Sequence, residues 1–286
     1  MQHSLRAVIS STLLMMTLFS YRLAQAQNVD AILDQSFRAM YNLQFDDAFR
    51  KADDAKKADK SDPMPWVAQA SAVLFREFDR LHILRSDIFI SDSAFSSRPA
   101  NTWNATSRKQ FDEALANAEK LAQDRLTRDK KDVKALFALT LMNGLRANDA
   151  ALITKRNLTA LSYTKTATGY AEKLLAVSPD YYDAYIATGM GQYIVGSKPA
   201  PVRWILRIGG FKGDQEQGVK ELGLVSERGR YLAPFASILL AFNDLRHQKP
   251  AEARKKFASL HNQFPGNPLF VQEMEKCERS SVASGQ

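Results

Sequence analysis

Residues 234–268 read PFASILLAFNDLRHQKPAEARKKFASLHNQFPGNP, and this stretch decides the fold. A first apolar run has Leu240 and Ala241 near its centre and ends at the short turn HQKP. A second run carries apolar residues at intervals of three and four, which is the spacing of one helix face: Ala253, Phe257 and Leu260. Pro265 then stops the second run. The stretch therefore predicts two helices joined by a tight turn.

The same helical spacing recurs through the chain. The segment FDEALANAEKLAQDRL, residues 111–126, places five apolar residues along one face: Phe111, Ala114, Leu115, Ala118 and Leu121. Strict alternation of apolar and polar residues, which would indicate a strand, is nowhere long enough to argue for a sheet. Residues 87–95 are the only short candidate for a strand. The sequence therefore predicts an all-α protein.

An internal repeat accompanies the helical pattern. Residues 132–148 align with residues 180–196 when the second segment is shifted by 48 positions. The alignment pairs Asp132 with Asp180, Phe137 with Tyr185, Thr140 with Thr188 and Met142 with Met190. Repetition at such a period is typical of stacked helix pairs, in which each pair buries its apolar face against the next.

These residues resemble the tetratricopeptide repeat (TPR). In that family a Leu-small pair lies in the first helix, a small residue and an aromatic lie in the second, and a Pro closes the unit. Leu240-Ala241, Ala253, Phe257 and Pro265 take those places here, and Ser237 replaces the usual bulky opener. The resemblance implies a TPR-like α-solenoid of antiparallel helix pairs over residues 27–278. Its repeat lengths are irregular, because the spacing exceeds the 34 residues usual in the family.

The segment GGFKGDQEQG, residues 209–218, invites comparison with a phosphate-binding loop. Val219 stands where such a loop needs its lysine, so the sequence favours a helix start instead. Asp214 is predicted to cap a helix that runs to about Arg228, with Gln217 completing a capping box. Gly229 is predicted to adopt a left-handed conformation after that helix.

This segment is also similar to part of a group of exported bacterial TPR-like proteins of unassigned function. Six residues carry the likeness: Gly210, Phe211, Gly213, Asp214, Gly218 and Leu222. No catalytic residue is assigned in that group, so the resemblance transfers none to this chain.

The N-terminus has the three-part pattern of a secretory signal peptide over residues 1–26. Arg6 precedes an apolar run, and Ala24-Gln25-Ala26 fits a cleavage site. An uncleaved anchor is the alternative, although the apolar run is shorter than a spanning helix requires. No cysteine follows the run, so lipoprotein processing is not expected. The mature chain is predicted to be periplasmic or secreted, and residues 279–286 are predicted to form a disordered tail.

The sequence offers little that suggests catalysis. The motifs HExxH, GxSxG and CxxC are absent. His82, His247 and His261 are far apart in the chain, and the single cysteine, Cys277, permits no internal disulfide. Cys277 is either a reactive thiol or a half-buried residue of a terminal helix. We expect no enzyme activity, no cofactor and no metal site. The formal net charge of +8 favours acidic surfaces weakly and does not indicate nucleic-acid binding.

The resemblance implies a non-enzymatic scaffold that mediates protein–protein interaction in the cell envelope. In a TPR array, outward positions of the first helices line a concave groove for a protein partner. The corresponding candidates for this groove are Met142, Leu145, Met190, Tyr193, Phe242 and Leu245. The alternative is that these apolar side chains pack against the next helix and belong to the core.

A second functional hypothesis concerns residues 198–211, in which three basic residues lie among apolar ones. Its candidates for contact with a membrane or a partner are Arg203, Trp204, Ile205 and Arg207. A basic, apolar segment of this kind can lie on an anionic lipid surface, and the protein would then be peripherally membrane-associated. The alternative is a connector whose Trp204 and Ile205 fill the gap between two repeats.

Overall fold

A computed structural model describes residues 28–197, 206, 210 and 213–284, with side chains as far as residue 280. The predicted signal peptide at 1–26 lies outside these residues. The first half contains α1 (residues 28–41), α2 (Phe45–Ala58), α3 (Met64–Arg80), α4 (Asp92–Ser97), α5 (Ala105–Arg128) and α6 (Val133–Asn148). The second half contains α7 (Asn157–Val177), α8 (Tyr185–Gly196), α9 (Gln215–Arg228), α10 (Ala233–Arg246), α11 (Pro250–Gln263) and α12 (Pro268–Ser284).

The all-α prediction is confirmed, because none of the residues that the structure describes forms a strand. Residues 87–95, the one candidate strand, contribute instead to a 3₁₀ turn at Ser86–Ile88 and to the short helix α4. Within the described ranges, no helix is long and apolar enough to cross a membrane. Helix α12 extends to Ser284, beyond the predicted boundary at 278 between the helical domain and a disordered tail.

Side-chain caps fix where several helices begin. Asn104 accepts hydrogen bonds from two amides of the first turn of α5, and Asp132 accepts one from Ala135 N at 2.8 Å at the start of α6. Asp214 caps α9 as predicted, accepting from Gln217 N at 3.0 Å. The side-chain amide of Gln217 donates to Glu221 at 2.9 Å, and among the described residues no hydrogen bond from the amide of Asp214 to Gln217, the reciprocal bond of a capping box, is present. Each cap satisfies an amide that lacks a partner within its helix.

Gly229 does not adopt the left-handed conformation that the sequence suggested. Its φ and ψ are −64° and 144°, which is extended backbone. A Cβ at Gly229 would lie 2.7 Å from Asp183 Oδ1 and 2.6 Å from Val225 O. The glycine is therefore needed for close approach of these groups, and not for a turn with positive φ.

Consecutive helices pack side by side through their apolar stripes. In α5, Phe111, Ala114, Leu115 and Ala118 are buried as predicted, and Leu121 is half-buried. Glycines allow α8 and α9 to approach each other closely. A Cβ on Gly218 would lie 2.6 Å from Tyr193 N and 2.7 Å from Gly189 O. A Cβ on Gly189 would lie 3.1 Å from Gly218 O, so both glycines lie at the contact between the two helices.

The two aligned segments of the internal repeat fold differently at their start. Helix α6 begins at Val133, directly after its cap, so that Phe137 lies in its second turn. In the second copy a 3₁₀ turn at Tyr182–Ala184 comes first, and α8 begins at Tyr185. The carboxylate of Asp183 is directed away from its own helix, because it accepts hydrogen bonds from the amides of Arg230, Tyr231 and Leu232 at 3.0–3.2 Å.

The N-terminal helix contacts the C-terminal third of the chain. Tyr41 donates to the carbonyl of Tyr231 at 3.0 Å, and Asn267 donates to the carbonyl of Tyr41 at 2.9 Å. Two ring pairs lie in the same contact: Phe37 with Tyr231 at 5.0 Å and Tyr41 with Phe264 at 5.3 Å. Helix α1 therefore shares one core with the segment from Tyr231 to Asn267.

A second contact ties α12 to the turn after α3. Glu273, which is 3% exposed, accepts from the amide of Ser86 at 3.2 Å and from its hydroxyl. Lys276 pairs with Glu273 at 2.8 Å and with Asp87 at 2.9 Å. Cys277 follows on the same helix and is 1% exposed, so the thiol is buried rather than half-buried. Burial raises its pKa to about 11, which disfavours the reactive thiolate.

Candidate functional site

The packed helices surround an apolar cavity of about 480 Å³ that is partly open to the surface. Its walls come from both halves of the chain and include Phe75 of α3, Leu161 of α7, Met190 and Ile194 of α8, and Phe235 and Leu239 of α10. A smaller cavity of about 110 Å³ adjoins it and shares several of these side chains. The lining is largely apolar, which is typical of sites for small molecules.

Helix α10 supplies much of the wall because it is apolar on more than one face. Its Ala236 and Ala241 are fully buried against neighbouring helices. Phe235, Ile238 and Leu239 are only partly buried, and all three line the cavity. A helix with apolar side chains on all faces is stable only when every face is removed from water. Here protein covers one side of α10, and the cavity occupies the other.

Aromatic ring pairs connect helices and loops on opposite sides of the cavity. Phe75 of α3 meets Phe235 of α10 edge-on at 5.9 Å between ring centroids. Phe89, in the loop before α4, stacks on Phe242 at 5.1 Å with an angle of 12° between the rings. Aromatic pairs in these arrangements each add on the order of 1 kcal/mol beyond their buried area. They connect the N-terminal and C-terminal parts of the chain around the cavity.

One part of the cavity wall is polar. Arg246 of α10 pairs with Asp92 at 2.8 Å and donates to the carbonyl of Phe89 at 3.1 Å. Asn243, one turn earlier on the same helix, and Tyr193 of α8 also line the cavity. Within the described part of the chain, neither Tyr193 Oη nor Asn243 Oδ1 has a hydrogen-bond partner, although both atoms are buried. Such groups cost free energy unless a partner satisfies them.

Tyr193 keeps its proton at neutral pH. Burial raises the pKa of its phenol, and the charge of Asp92 adds to this effect, whereas the positive charge of Arg246 opposes it. Tyr193, Asn243, Arg246 and Asp92 all contribute to the lining of the cavity.

A second cluster of charge lies beside the loop before α5. Lys155 donates to the carbonyl of Phe95 at 2.8 Å and lies 4.2 Å from the centroid of its ring. Burial and the charge of Arg98 lower the pKa of Lys155. Among the described residues, Arg98 Nη1 is buried without a hydrogen-bond partner. Phe95 lines the cavity, so these two cations lie behind one of its walls.

The six residues that the sequence proposed for a groove are distributed over the interior. Met142 is buried in the core, Leu145 lines the smaller cavity, and Leu245 packs against the core from a partly buried position. The remaining three line the larger cavity: Met190, Tyr193 and Phe242. Arg203, Trp204, Ile205 and Arg207, proposed for membrane or partner contact, lie outside the described residues.

Sequence reasoning did not identify the cavity or several of its walls. Phe75, Phe89 and Phe235 were not singled out, although they line it. A signal was present in the near-continuous apolar run FASILLAF of residues 235–242, which exceeds what one buried helix face requires. Within the described residues, no group of three or more His, Cys, Asp or Glu side chains could hold a metal ion.

Comparison with known proteins adds no relative. No family model, no curated protein and no solved structure matches the chain.

Proposed function

We propose that the protein binds a small apolar molecule with an acyl-chain-like tail in its interior cavity. The observation that carries this proposal is the cavity itself. Its volume of about 480 Å³ falls in the range typical of ligand sites and is several times that of a cavity that binds benzene. The apolar side chains that surround it offer dispersion contacts and removal from water, and few charges.

Energetics favour a cavity that is filled. Apolar walls in contact with water carry an unfavourable free energy of about 25 cal/mol per Å² of apolar surface. A bound apolar molecule removes this cost only in the folded state, so we expect ligand binding to raise the melting temperature.

A protein-binding scaffold, which the TPR resemblance implies, ranks second. Met142 and Leu145 are 1% and 7% exposed, so a partner could not reach them without opening the helical array. Met190, Tyr193 and Phe242 line the same cavity and would contact an interior ligand instead. The repeat architecture itself remains part of the proposal: the packed consecutive helices and the buried Phe257 and Ala253 support TPR-like helix pairs.

Export to the periplasm or beyond also remains a proposal, based on the pattern in residues 1–26. Export is compatible with ligand binding. An acyl-chain compound dissolves poorly in water, and a protein cavity would shield it from water. Enzyme activity is not part of the proposal. The alternative of peripheral lipid association through residues 198–211 is compatible with a lipid-like ligand and requires its own test with liposomes.

The proposal is tested by titrating the mature chain with N-phenyl-1-naphthylamine, an uncharged apolar fluorophore. We expect saturable binding at one site and displacement by long-chain n-alkanols. Replacing Ile194 of the cavity wall by Trp should weaken binding at least 10-fold without lowering the melting temperature, because the larger side chain occupies the cavity. Val271→Trp is the matched control, since Val271 is 36% exposed on α12. Absence of saturable binding to the native chain would refute the proposal.

A further inference from the structure

The two cavities differ in how far they lie from the surface. Three of the residues that line the larger cavity are exposed, and all three are polar: Asp92 and Ser96 of α4, and Asn157 at the start of α7. Every described residue that lines the smaller cavity is buried or half-buried. The larger cavity therefore opens to the surface beside α4, and the smaller cavity is the deeper of the two.

The two cavities meet at side chains that line both of them. Phe75 and Phe235, which are in edge-on contact at 5.9 Å, belong to this shared wall, and so do Met190 and Ile194 of α8. A methionine side chain is unbranched and flexible, so Met190 can adapt to a chain that passes beside it. An unbranched apolar chain that enters the larger cavity from the surface can therefore extend into the smaller one.

The smaller cavity suits the apolar end of such a chain. Its volume of about 110 Å³ is close to the volume, about 150 Å³, of an engineered apolar cavity that stays dry and binds benzene. Four hydroxyl groups line it, and each already donates to a main-chain carbonyl: those of Tyr41, Ser71, Thr140 and Thr164. A polar head group would exchange its hydrogen bonds with water for few others there, whereas carbon atoms have none to lose.

We infer that the ligand is an unbranched long-chain compound whose terminal carbons occupy the smaller cavity, and that Gly144 sets the length of chain that the protein accepts. This inference rests on the proposed function and makes it more specific. Gly144 lies on α6 one turn after Thr140 and one turn before Asn148, on the helix face that lines the smaller cavity. A Cβ on Gly144 would meet nothing within 4 Å, so a larger side chain at this position would project into the cavity.

An end pocket for a chain has a characteristic effect on affinity. Each further methylene that is buried raises the affinity about fourfold, and this gain continues only while the deeper cavity has room. A side chain that fills the smaller cavity should therefore weaken the binding of long chains. Short chains, which end in the larger cavity, should bind as before. This difference separates an end pocket from a general loss of binding.

The test displaces N-phenyl-1-naphthylamine with a series of n-alkanols from octan-1-ol to tetradecan-1-ol. For the native chain we expect the affinity to rise about fourfold per methylene up to a limiting chain length. Gly144→Leu should shorten that limit by about four carbons, the size of the inserted side chain, and leave octan-1-ol unchanged. Ala187→Leu, in the wall that α8 contributes, should shorten it as well. Gly169→Leu is the matched control, since a Cβ on Gly169 also meets nothing within 4 Å and Gly169 lines neither cavity.

Two results would overturn the inference and leave the proposed function intact. If Gly144→Leu and Ala187→Leu weaken octan-1-ol as much as tetradecan-1-ol, the smaller cavity supports the whole site and does not hold the chain end. If neither variant changes the limiting length, although both melt at the temperature of the native chain, the ligand ends in the larger cavity. Where the leucine variants melt at a lower temperature, Gly144→Ala replaces them, with an expected shift of about one carbon. If no alkanol displaces the fluorophore from the native chain, the proposed function fails together with the inference.

Discussion

Tyr41 donates a hydrogen bond of 3.0 Å to the main-chain carbonyl of Tyr231, 190 residues further along the chain. Tyr231 belongs to the short segment whose amides, from Arg230 to Leu232, bind the buried carboxylate of Asp183. Arg230 also pairs with Asp34 of α1 at 2.8 Å. Residues 230–232 therefore connect the first helix, the middle of the chain and the start of α10. We expect the contact between the two halves of the chain to depend on this segment.

The first prediction concerns this contact. Tyr41→Phe removes the phenol that satisfies the carbonyl of Tyr231, and we expect the free energy of unfolding to fall by about 1–3 kcal/mol because that carbonyl remains buried. Denaturant titration measures the change. Tyr185→Phe serves as control, since Tyr185 Oη donates to Pro179 O at an exposed site and its loss should cost less than about 0.5 kcal/mol. If both variants lose the same free energy of unfolding, the hydrogen bond from Tyr41 to Tyr231 stabilises the fold no more than an exposed hydrogen bond does.

The second prediction compares two glycines of the same helix, α9. Gly218→Ala would place a Cβ 2.6 Å from Tyr193 N and 2.7 Å from Gly189 O. Because these are backbone atoms that cannot rotate away, we expect a loss of at least about 2 kcal/mol in the free energy of unfolding. At Gly223 a Cβ would meet nothing within 4 Å, so Gly223→Ala should stabilise the fold by about 0.5–1 kcal/mol.

Thermal unfolding of both variants measures this difference. A stable Gly218→Ala protein would show that α8 and α9 do not require the close contact that joins Gly218 to Gly189. Because α8 carries Met190, Tyr193 and Ile194 of the cavity wall, a shift of α8 should also weaken binding of the apolar fluorophore.

The third prediction concerns pH. Glu77 is 2% exposed and accepts hydrogen bonds from Arg80 and from the amide of Asn104. Although burial opposes ionisation, these interactions together lower the pKa of Glu77 below 4.5. A lowered pKa in the folded state means that the unfolded chain binds more protons as the pH falls. The stabilisation is therefore complete above pH 4.5 and is lost as the pH falls through the folded-state pKa.

Glu77→Gln should reduce the free energy of unfolding by about 1.5–3 kcal/mol at pH 7, the range for hydrogen bonds to charged groups. The difference from the native chain should shrink below pH 4.5. Urea titrations at pH 7 and at pH 3.5 measure both values. Glu113→Gln is the control, because Glu113 is exposed and lies 3.8 Å from Lys109, and it should change stability little at either pH. If Glu77→Gln lowers the free energy of unfolding equally at pH 7 and at pH 3.5, the pKa of Glu77 is not lowered in the folded state.

Local features of the fold were predictable because their causes lie within a few residues. The apolar spacing of residues 111–126 produced the buried face of α5, and Asp214 caps α9 at the position that the sequence indicated. Gly229 was predicted wrongly because its conformation depends on Asp183, which is distant in sequence. The same limitation applies to the repeat alignment: Asp132 caps α6, whereas its counterpart Asp180 accepts a hydrogen bond from the hydroxyl of Ser178 and is followed by a 3₁₀ turn.

The sequence by itself determined that this chain is helical, that Asp214 caps the helix that follows it, and which residues are apolar enough to be buried. Helical periodicity and caps act over one or two turns, so they can be recognised along the chain. Only the tertiary structure decided that Tyr41 contacts Tyr231, and that Met190, Tyr193 and Phe242 line one cavity together. An apolar residue in a sequence indicates only that its side chain avoids water. Long-range packing decides whether that side chain is covered by the rest of the protein, by a partner or by a ligand.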